Sequence, residues 1–429
     1  MSDKILNNVH IDFVEYDLNN GLHVILHQDN TSSLVTISMM YHVGSKNEDP
    51  NKTGFAHFFE HLMFEGSENI PRGKFFNYVQ DSGGSLNANT TQDRTFYYEV
   101  FSAHHLETGL WLESERMLHA LVDHEGIKTQ RSVVKEERRQ RYDNQPYGTI
   151  VEQCMKRAYK LHPYQWSVIG SMDHIDNANE DDFQDFYERY YVPQNAVLCL
   201  AGNFEMEHAR LLIDKYFSTI PRGKSDIKRP TIAEKPLSGE VRDVVYDNVQ
   251  LPAVVHMYRI PGFADKDYYA VQLFSELMSN GSSSKLYQSL VDKSQVAIQV
   301  GSFPFELEHP GVVIQFAIGN PDSSVETLET MMDEEINKII QNGLTSKELE
   351  KLINQTETRL VNEKSSLLSI AEGLSTYYTY FKDTNMYNKE LEQYTAVSIA
   401  DIQNIAQKYF QPNNRVSLFW LPKDQESNI

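Results

Sequence analysis

Hydrophobic residues early in the chain alternate between a strand pattern and a helix pattern. The segments SLVTISMMYHVGS and RTFYYEVF have the β-branched and aromatic content of buried strands. Between them, GFAHFFEHLMFEG carries apolar residues at helical spacing and has glycine at both ends, which predicts a short buried helix over about 54–65. Two further helices are predicted in AHHLETGLWLESERMLHALV and GIKTQRSVVKEERRQRYDN. Strands mixed with pairs of helices indicate an α+β fold.

A long internal repeat divides the chain into two similar halves. In each half an amphipathic helix ends before a proline, which cannot continue it, and an apolar strand follows. Four residues of the first copy lie 219 positions before their counterparts in the second: Tyr190, Pro193, Asn195 and Val197 precede Tyr409, Pro412, Asn414 and Val416. Residues 221–240 are rich in Pro, Lys and Gly and read as an exposed linker. We therefore predict two homologous α/β sandwich domains in tandem, 1–220 and 241–429, each a mostly antiparallel sheet packed against helices.

Length and charge narrow the class of protein. A chain of 429 residues exceeds what one core usually organises, and a net charge of -21 argues against a nucleic-acid partner. No run approaches the roughly 18 apolar residues of a membrane span, and the start, MSDKILNNVHIDF, lacks the apolar core of a signal peptide. We expect a cytoplasmic protein, with a periplasmic one left open if a leader was removed. Cys154 and Cys199 are expected to be buried free thiols.

The segment His57-Phe58-Phe59-Glu60-His61 suggests a metal site. Because a helix has about 3.6 residues per turn, His57 and His61 share one face and could hold one zinc ion. Glu60 projects toward the same side and could activate a water there, as in an inverted HExxH motif. The alternative is a histidine pair satisfied by hydrogen bonds on a buried helix. The apolar surroundings weigh against it, since unsatisfied buried polar groups cost several kcal/mol.

A catalytic zinc needs a third protein ligand and one open position. The segment VVKEERRQR offers Glu136 and Glu137, and spacing alone does not choose between them. Either carboxylate could instead pair with the neighbouring arginines.

At this point the chain resembles a known family. NGLHVILH, VGSKNEDPNKTGFAHFFEHLMFEGS, GGSLNANTTQDRTFYYEV and the VVKEE helix occur in the order and at the spacing of pitrilysin-type zinc peptidases, which include insulin-degrading enzyme and the mitochondrial processing peptidases. The resemblance implies a zinc endopeptidase with one Zn²⁺ per chain. It places the third ligand 76 residues beyond His61, at Glu137, and gives Glu60 the role of catalytic base. The family usually has a second glutamate seven residues before that ligand, where this chain has Gln130.

The resemblance also assigns the segment 84–90. In the family this stretch is a sheet edge along which substrate lies as an added strand, so Asn87 and Ala88 are the expected substrate contacts. The residues alone favour a different interpretation, an ordinary polar turn leading into the strand that contains Tyr97.

The second half lacks two features that relatives use. It has no HxxEH, and Val291 and Ile298 stand where active relatives or their partner subunits carry an arginine and a tyrosine. Neither side chain can donate a hydrogen bond to the reacting carbonyl. The resemblance thus implies a heterodimer with a paralogous subunit that bears the Arg/Tyr pair, with a homodimer as the alternative. Two non-enzymatic functions also remain open: a scaffold, and a peptide-binding module with a retained zinc site.

Overall fold

The chain folds into two compact units, which are not single blocks of sequence. The computed structural model describes residues 10–224, 227, 229–423 and 425. The first unit takes in the chain up to residue 138, together with 166–231 and 359–389. The second takes in 139–165, 232–358 and the chain from 390 onward.

The first unit is built on a six-stranded sheet. Its strands are β1 (Val14–Asp17), β2 (His23–Gln28), β3 (Leu34–Tyr41), β4 (Ser85–Thr90), β5 (Thr95–Ser102) and β6 (Ala196–Gly202). Their order across the sheet is β1-β2-β6-β3-β5-β4, and only β2 and β6 run parallel to each other. β3 lies inside the sheet and is buried from Val35 to Tyr41, which explains its nearly continuous apolar sequence.

The helices predicted around the metal motif are present. The predicted helix at 54–65 is observed as α1 (Phe55–Leu62), and the two later segments form α3 and α4. α12 packs on β3 and β6 of the first sheet. The α-helices in the described part of the chain are α1 (Phe55–Leu62), α2 (Phe75–Asp81), α3 (Leu106–His119), α4 (His124–Arg138), α5 (Ile150–Ala158), α6 (Met172–Asn177), α7 (Glu180–Tyr190), α8 (Met206–Phe217), α9 (Asp267–Ser279), α10 (Val325–Asn342), α11 (Ser346–Glu363), α12 (Leu367–Phe381), α13 (Met386–Thr395) and α14 (Ile399–Tyr409).

The second unit repeats the same sheet without the first edge strand. Its strands are β7 (Val241–Asp247), β8 (Ala253–Arg259), β9 (Ala297–Pro304), β10 (Val312–Gly319) and β11 (Arg415–Pro422), in the order β7-β11-β8-β10-β9. This is the order β2-β6-β3-β5-β4 of the first sheet, and again one pair, β7 with β11, is parallel. Val255, Met257, Leu418 and Trp420 contribute to its buried core.

The repeat includes the residues that cap the last helix before the closing strand of each half, α7 and α14. Asn179 and Asp182 form a capping box at the start of α7, and Ser398 and Asp401 form one at the start of α14, 219 residues later. The predicted fold, two tandem α/β domains with mostly antiparallel sheets, is confirmed.

The domain limits 1–220 and 241–429 stay a prediction, because units defined by contact and units defined by homology need not share their borders. Part of the predicted linker, residues 225, 226 and 228, lies outside the described residues. In the described part of the chain no helix is long and apolar enough to cross a membrane. Cys154 and Cys199 are buried free thiols as predicted, and burial raises the pKa of each to about 12.

Candidate metal centre

Helix α1 begins at a glycine that no other residue could replace without strain. Gly54 has φ of 95°, and a Cβ atom there would lie 2.6 Å from the carbonyl oxygen of Ile169. The carboxylate of Glu48 accepts the backbone N–H groups of Gly54 and Ala56, each at 2.9 Å. An anionic side chain at this end favours the helix, because the first N–H groups have no partner within it. Burial nevertheless raises the pKa of Glu48 to about 8.

The apolar side of α1 fixes its rotation. Phe55 stacks on Phe183 of α7 at 4.6 Å between ring centroids, and Phe59 stacks on Phe186 at 5.1 Å. Since residues 57, 60 and 61 lie on the other side of so short a helix, this packing turns the polar trio away from the core.

Three side chains converge on that polar side. The Nε2 atoms of His57 and His61 lie 3.4 and 3.1 Å from Oε2 of Glu137 in α4. Their ligand atoms all lie within 4.8 Å of one another, and the two imidazoles are inclined at 75°. The side chains are 12%, 25% and 14% exposed, so solvent reaches them.

The donor set fits zinc. Ligands about 2.0–2.2 Å from a tetrahedral zinc lie roughly 3.3–3.6 Å from one another, close to the separations between the two imidazoles and the carboxylate. Two imidazoles and one carboxylate are also the ligand count of a zinc that keeps an open position. Of the two carboxylates that the sequence offered, Glu137 faces the imidazoles, whereas Glu136 is exposed.

Glu60 is tied to the neighbouring sheet edge. Its Oε2 accepts a hydrogen bond of 2.5 Å from Oγ1 of Thr90, the last residue of β4. Sequence reasoning missed Thr90, because nothing in a polar strand end points to a partner 30 residues earlier.

Within the segment 84–90, residues Ser85–Thr90 form a strand rather than a polar turn. Among the strands of the described residues β4 pairs only with β5, with Asn87 opposite Tyr98 and Ala88 opposite Tyr97, so it forms the edge of the sheet. Asn87 is exposed and Ala88 is half-buried. Near the end of the same hairpin, Arg94 donates to Asn89 and to Glu372 of α12. β4 is thus hydrogen-bonded to β5 along one side, and no strand of the described part of the chain pairs with its other side.

A buried polar cluster of Tyr97, Glu99, Glu113 and Arg116, which the sequence did not suggest, contacts α1. The hydroxyl of Tyr97 donates to the carbonyl of Phe59 at 3.2 Å. The guanidinium of Arg116 lies over the Tyr97 ring, 4.3 Å from its centroid, and pairs with Glu99 and Glu113. Desolvation and the neighbouring Glu113 raise the pKa of Glu99 well above its ordinary value.

Comparison with known proteins shows to which family the chain belongs. The model for insulinase, peptidase family M16, matches residues 23–171, and the model for the peptidase M16 inactive domain matches residues 177–356. The zinc protease PqqE of Helicobacter pylori is 33% identical over 409 residues, which cover 94% of this chain and 92% of that protein. The chain belongs to the M16 peptidase family. The predicted resemblance to pitrilysin-type peptidases is confirmed.

Several solved structures have the same fold. The solved structure of a protease from Helicobacter pylori superposes with a TM-score of 0.92 at 30% identity, covering 96% of this chain and 100% of that one. Pitrilysin superposes with a TM-score of 0.77 at 17% identity, and the match covers 96% of this chain and 45% of that one. PqqL of Escherichia coli, with a TM-score of 0.78, is described as a periplasmic protease. The cytoplasmic location predicted for this chain stays a prediction.

Proposed function

We propose that this chain is a zinc-dependent endopeptidase that hydrolyses peptides or unfolded segments, with His57, His61 and Glu137 as the ligands of one Zn²⁺. The observation that carries the proposal is the convergence of these three side chains on one side of α1, with Glu60 beside them. Membership of the M16 peptidase family, and relatives named zinc proteases, support it.

Glu60 is the proposed catalytic base. Bound zinc would lower the pKa of a water molecule toward about 7 and polarise the carbonyl of the scissile peptide bond. Glu60 takes the proton of the attacking water and later delivers it to the leaving amine.

The edge strand β4 is the proposed substrate platform. A peptide that pairs with an open edge uses main-chain hydrogen bonds, which tolerate many side chains. Asn87 and Ala88 would then lie next to the substrate backbone, and Thr90 at the end of the same strand links this platform to Glu60.

We further propose that a paralogous partner completes the catalytic machinery. Val291 lies in the helical turn Tyr287–Lys293, and Ile298, in β9, is 53% exposed. Neither can hydrogen-bond to a reacting carbonyl, so a subunit bearing an arginine and a tyrosine would supply that contact. If the purified chain, as monomer or homodimer, cleaves peptides as fast without a paralogous partner as with one, the heterodimer proposal is wrong.

The central test replaces Glu60 by glutamine, which keeps the size of the side chain and removes the base. We expect peptide turnover to fall about 10²- to 10⁴-fold while zinc content per chain stays unchanged. Glu136→Gln, an exposed carboxylate of α4, is the matched control and should retain both. Cleavage of a quenched fluorescent peptide and elemental analysis of zinc are the measurements.

The outcomes separate the alternatives. Retained turnover in Glu60→Gln contradicts the role of the base. Zinc binding by the wild-type protein without cleavage, even with a partner, favours the peptide-binding module, and absence of both favours the scaffold.

A further inference from the structure

The carboxylate of Glu65 joins two segments of the first unit. This residue follows α1, four positions after His61, and is 8% exposed. Its Oε1 accepts a hydrogen bond of 2.6 Å from the side-chain amide of Gln130 in α4. Its Oε2 accepts one of 2.7 Å from Arg72. Both oxygens of this buried carboxylate are therefore used by donors from other parts of the chain.

Arg72 extends the link to the beginning of α4. Its Nη2 lies 2.8 and 2.6 Å from the two oxygens of Asp123, which in turn accepts the N–H of Gly126 in the first turn of the helix at 2.9 Å. Glu125 also lies near, 3.8 Å from Nε of Arg72. The helix is thus held twice, at its start through Asp123 and near its middle through Gln130.

Gln130 and Glu137 lie on the same side of α4. They are seven residues apart, which is nearly two full turns, or about 10 Å along the axis. A contact that fixes Gln130 against the segment after α1 therefore also fixes the direction from which Glu137 approaches His57 and His61. The charge of the group at position 130 decides whether that contact exists.

The carboxylate of Glu65, which faces Gln130, favours a hydrogen-bond donor at position 130. Three carboxylates, Glu65, Asp123 and Glu125, already surround the guanidinium of Arg72. A second carboxylate facing Glu65 at 2.6 Å would repel it, whereas the amide N–H of glutamine binds it. The glutamine that departs from the family pattern is thus the residue type that this site needs.

We propose that Gln130 is a positioning residue: its hydrogen bond to Glu65 holds α4 against the end of α1 and keeps the Glu137 carboxylate beside the two imidazoles. The inference rests on the proposed zinc site and extends it to a residue that contacts neither metal nor substrate.

Three variants test the inference. Gln130→Glu places a carboxylate against Glu65. Ser132→Glu adds the same charge at an exposed position of α4 and is the matched control. The double variant Glu65→Gln with Gln130→Glu reverses donor and acceptor and restores the hydrogen bond. Zinc affinity is measured by competition with a chromophoric chelator, folding by circular dichroism, and kcat and KM on a quenched peptide.

We expect Gln130→Glu to bind zinc on the order of 10- to 100-fold more weakly, the range found for partners that orient metal ligands. At limiting zinc its kcat should fall with KM unchanged. Ser132→Glu should stay within about twofold of wild type, and the double variant should recover most of the loss, since one hydrogen bond is restored.

Equal zinc affinity in Gln130→Glu, Ser132→Glu and wild type would overturn the positioning role while leaving the zinc site intact. A wild-type chain that binds no zinc would overturn the proposed function, and this inference with it. If Gln130→Glu does not fold, the double variant decides: near wild-type affinity supports the role, and a folded double variant with a 10-fold or greater loss overturns it.

Discussion

The buried charges beneath α1 make a stability prediction that depends on pH. Arg116 pairs with Glu113 and, at 3.3 Å, with Glu99, and all three side chains are completely buried. One positive charge faces two carboxyl groups, and the pKa of Glu99 is raised well above its usual range by desolvation and by Glu113. Burial of the cluster therefore favours the protonated form of Glu99 in the folded protein.

Replacing Arg116 by leucine removes the positive charge that faces the two buried carboxyl groups. We expect a loss of about 3–5 kcal/mol at pH 7.5, the usual cost of removing one partner of a buried pair. Arg116 lowers the pKa of Glu99, so its removal raises that pKa further and favours proton binding by the folded variant. The loss should therefore be larger at pH 7.5 than at pH 5.5, growing by at most about 1.4 kcal/mol per pH unit for a single group whose pKa is raised in the folded state.

The assay is urea unfolding at both pH values, in chelator so that metal binding does not contribute. Tryptophan fluorescence is suitable, because Trp111 lies on the same helix as Arg116. Glu99→Gln is the control of opposite sign. It mimics the protonated acid and removes a group whose raised pKa costs stability as pH rises, so its stability should vary less with pH than that of the wild type. A loss below about 1 kcal/mol in Arg116→Leu, or a loss independent of pH, would refute the reasoning.

Further predictions concern the metal, the helix start and the sheet edge. Glu137→Gln should weaken zinc binding by more than the roughly 10- to 100-fold lost when a residue that only hydrogen-bonds to a metal ligand is replaced. Glu136→Gln should leave zinc affinity unchanged in the same chelator competition. Because the pKa of Glu48 is raised, the folded protein should lose stability as pH rises from about 4.5 to about 8. The midpoint of thermal unfolding should therefore change less with pH in Glu48→Gln than in the wild type over this interval. The same pH dependence in both proteins would show that Glu48 does not titrate there. If substrate pairs with β4, N-methylation of alternate backbone amides of an inhibitor peptide should weaken binding by about 2- to 10-fold per hydrogen bond, and methylation of the intervening amides should not; equal effects at all positions would exclude strand pairing.

Much of the fold could be predicted from sequence, because its signals are local. The helical spacing around His57 and His61 placed α1, and the proline after each closing helix revealed the repeat. The two capping boxes, 219 residues apart, show why the repeat could be recognised: helix-capping residues occur at equivalent positions in both halves. The choice between Glu136 and Glu137 came from family spacing, and the coordinates place Glu137 beside the imidazoles.

The remaining features depend on contacts distant in sequence. A strand such as SLNANT alternates only weakly, with Leu86 and Ala88 between small polar residues that are common in turns, so its residues alone favoured a turn. Arg116, Glu99 and Glu113 look like surface residues, and only packing shows that they are buried. The hydrogen bond between Gln130 and Glu65 joins residues 65 positions apart, and no pattern within either segment announces it.

The return of residues 359–389 to the first unit limits how the protein can be divided. α12 covers β3 and β6, and its residues Ile370, Leu374 and Tyr377 are buried. A fragment that stops at the linker would leave that apolar surface to water and would be prone to aggregate. The half of the chain that contains His57 and His61 is therefore not expected to fold stably by itself. After proteolytic cleavage in the linker, the two fragments should stay associated.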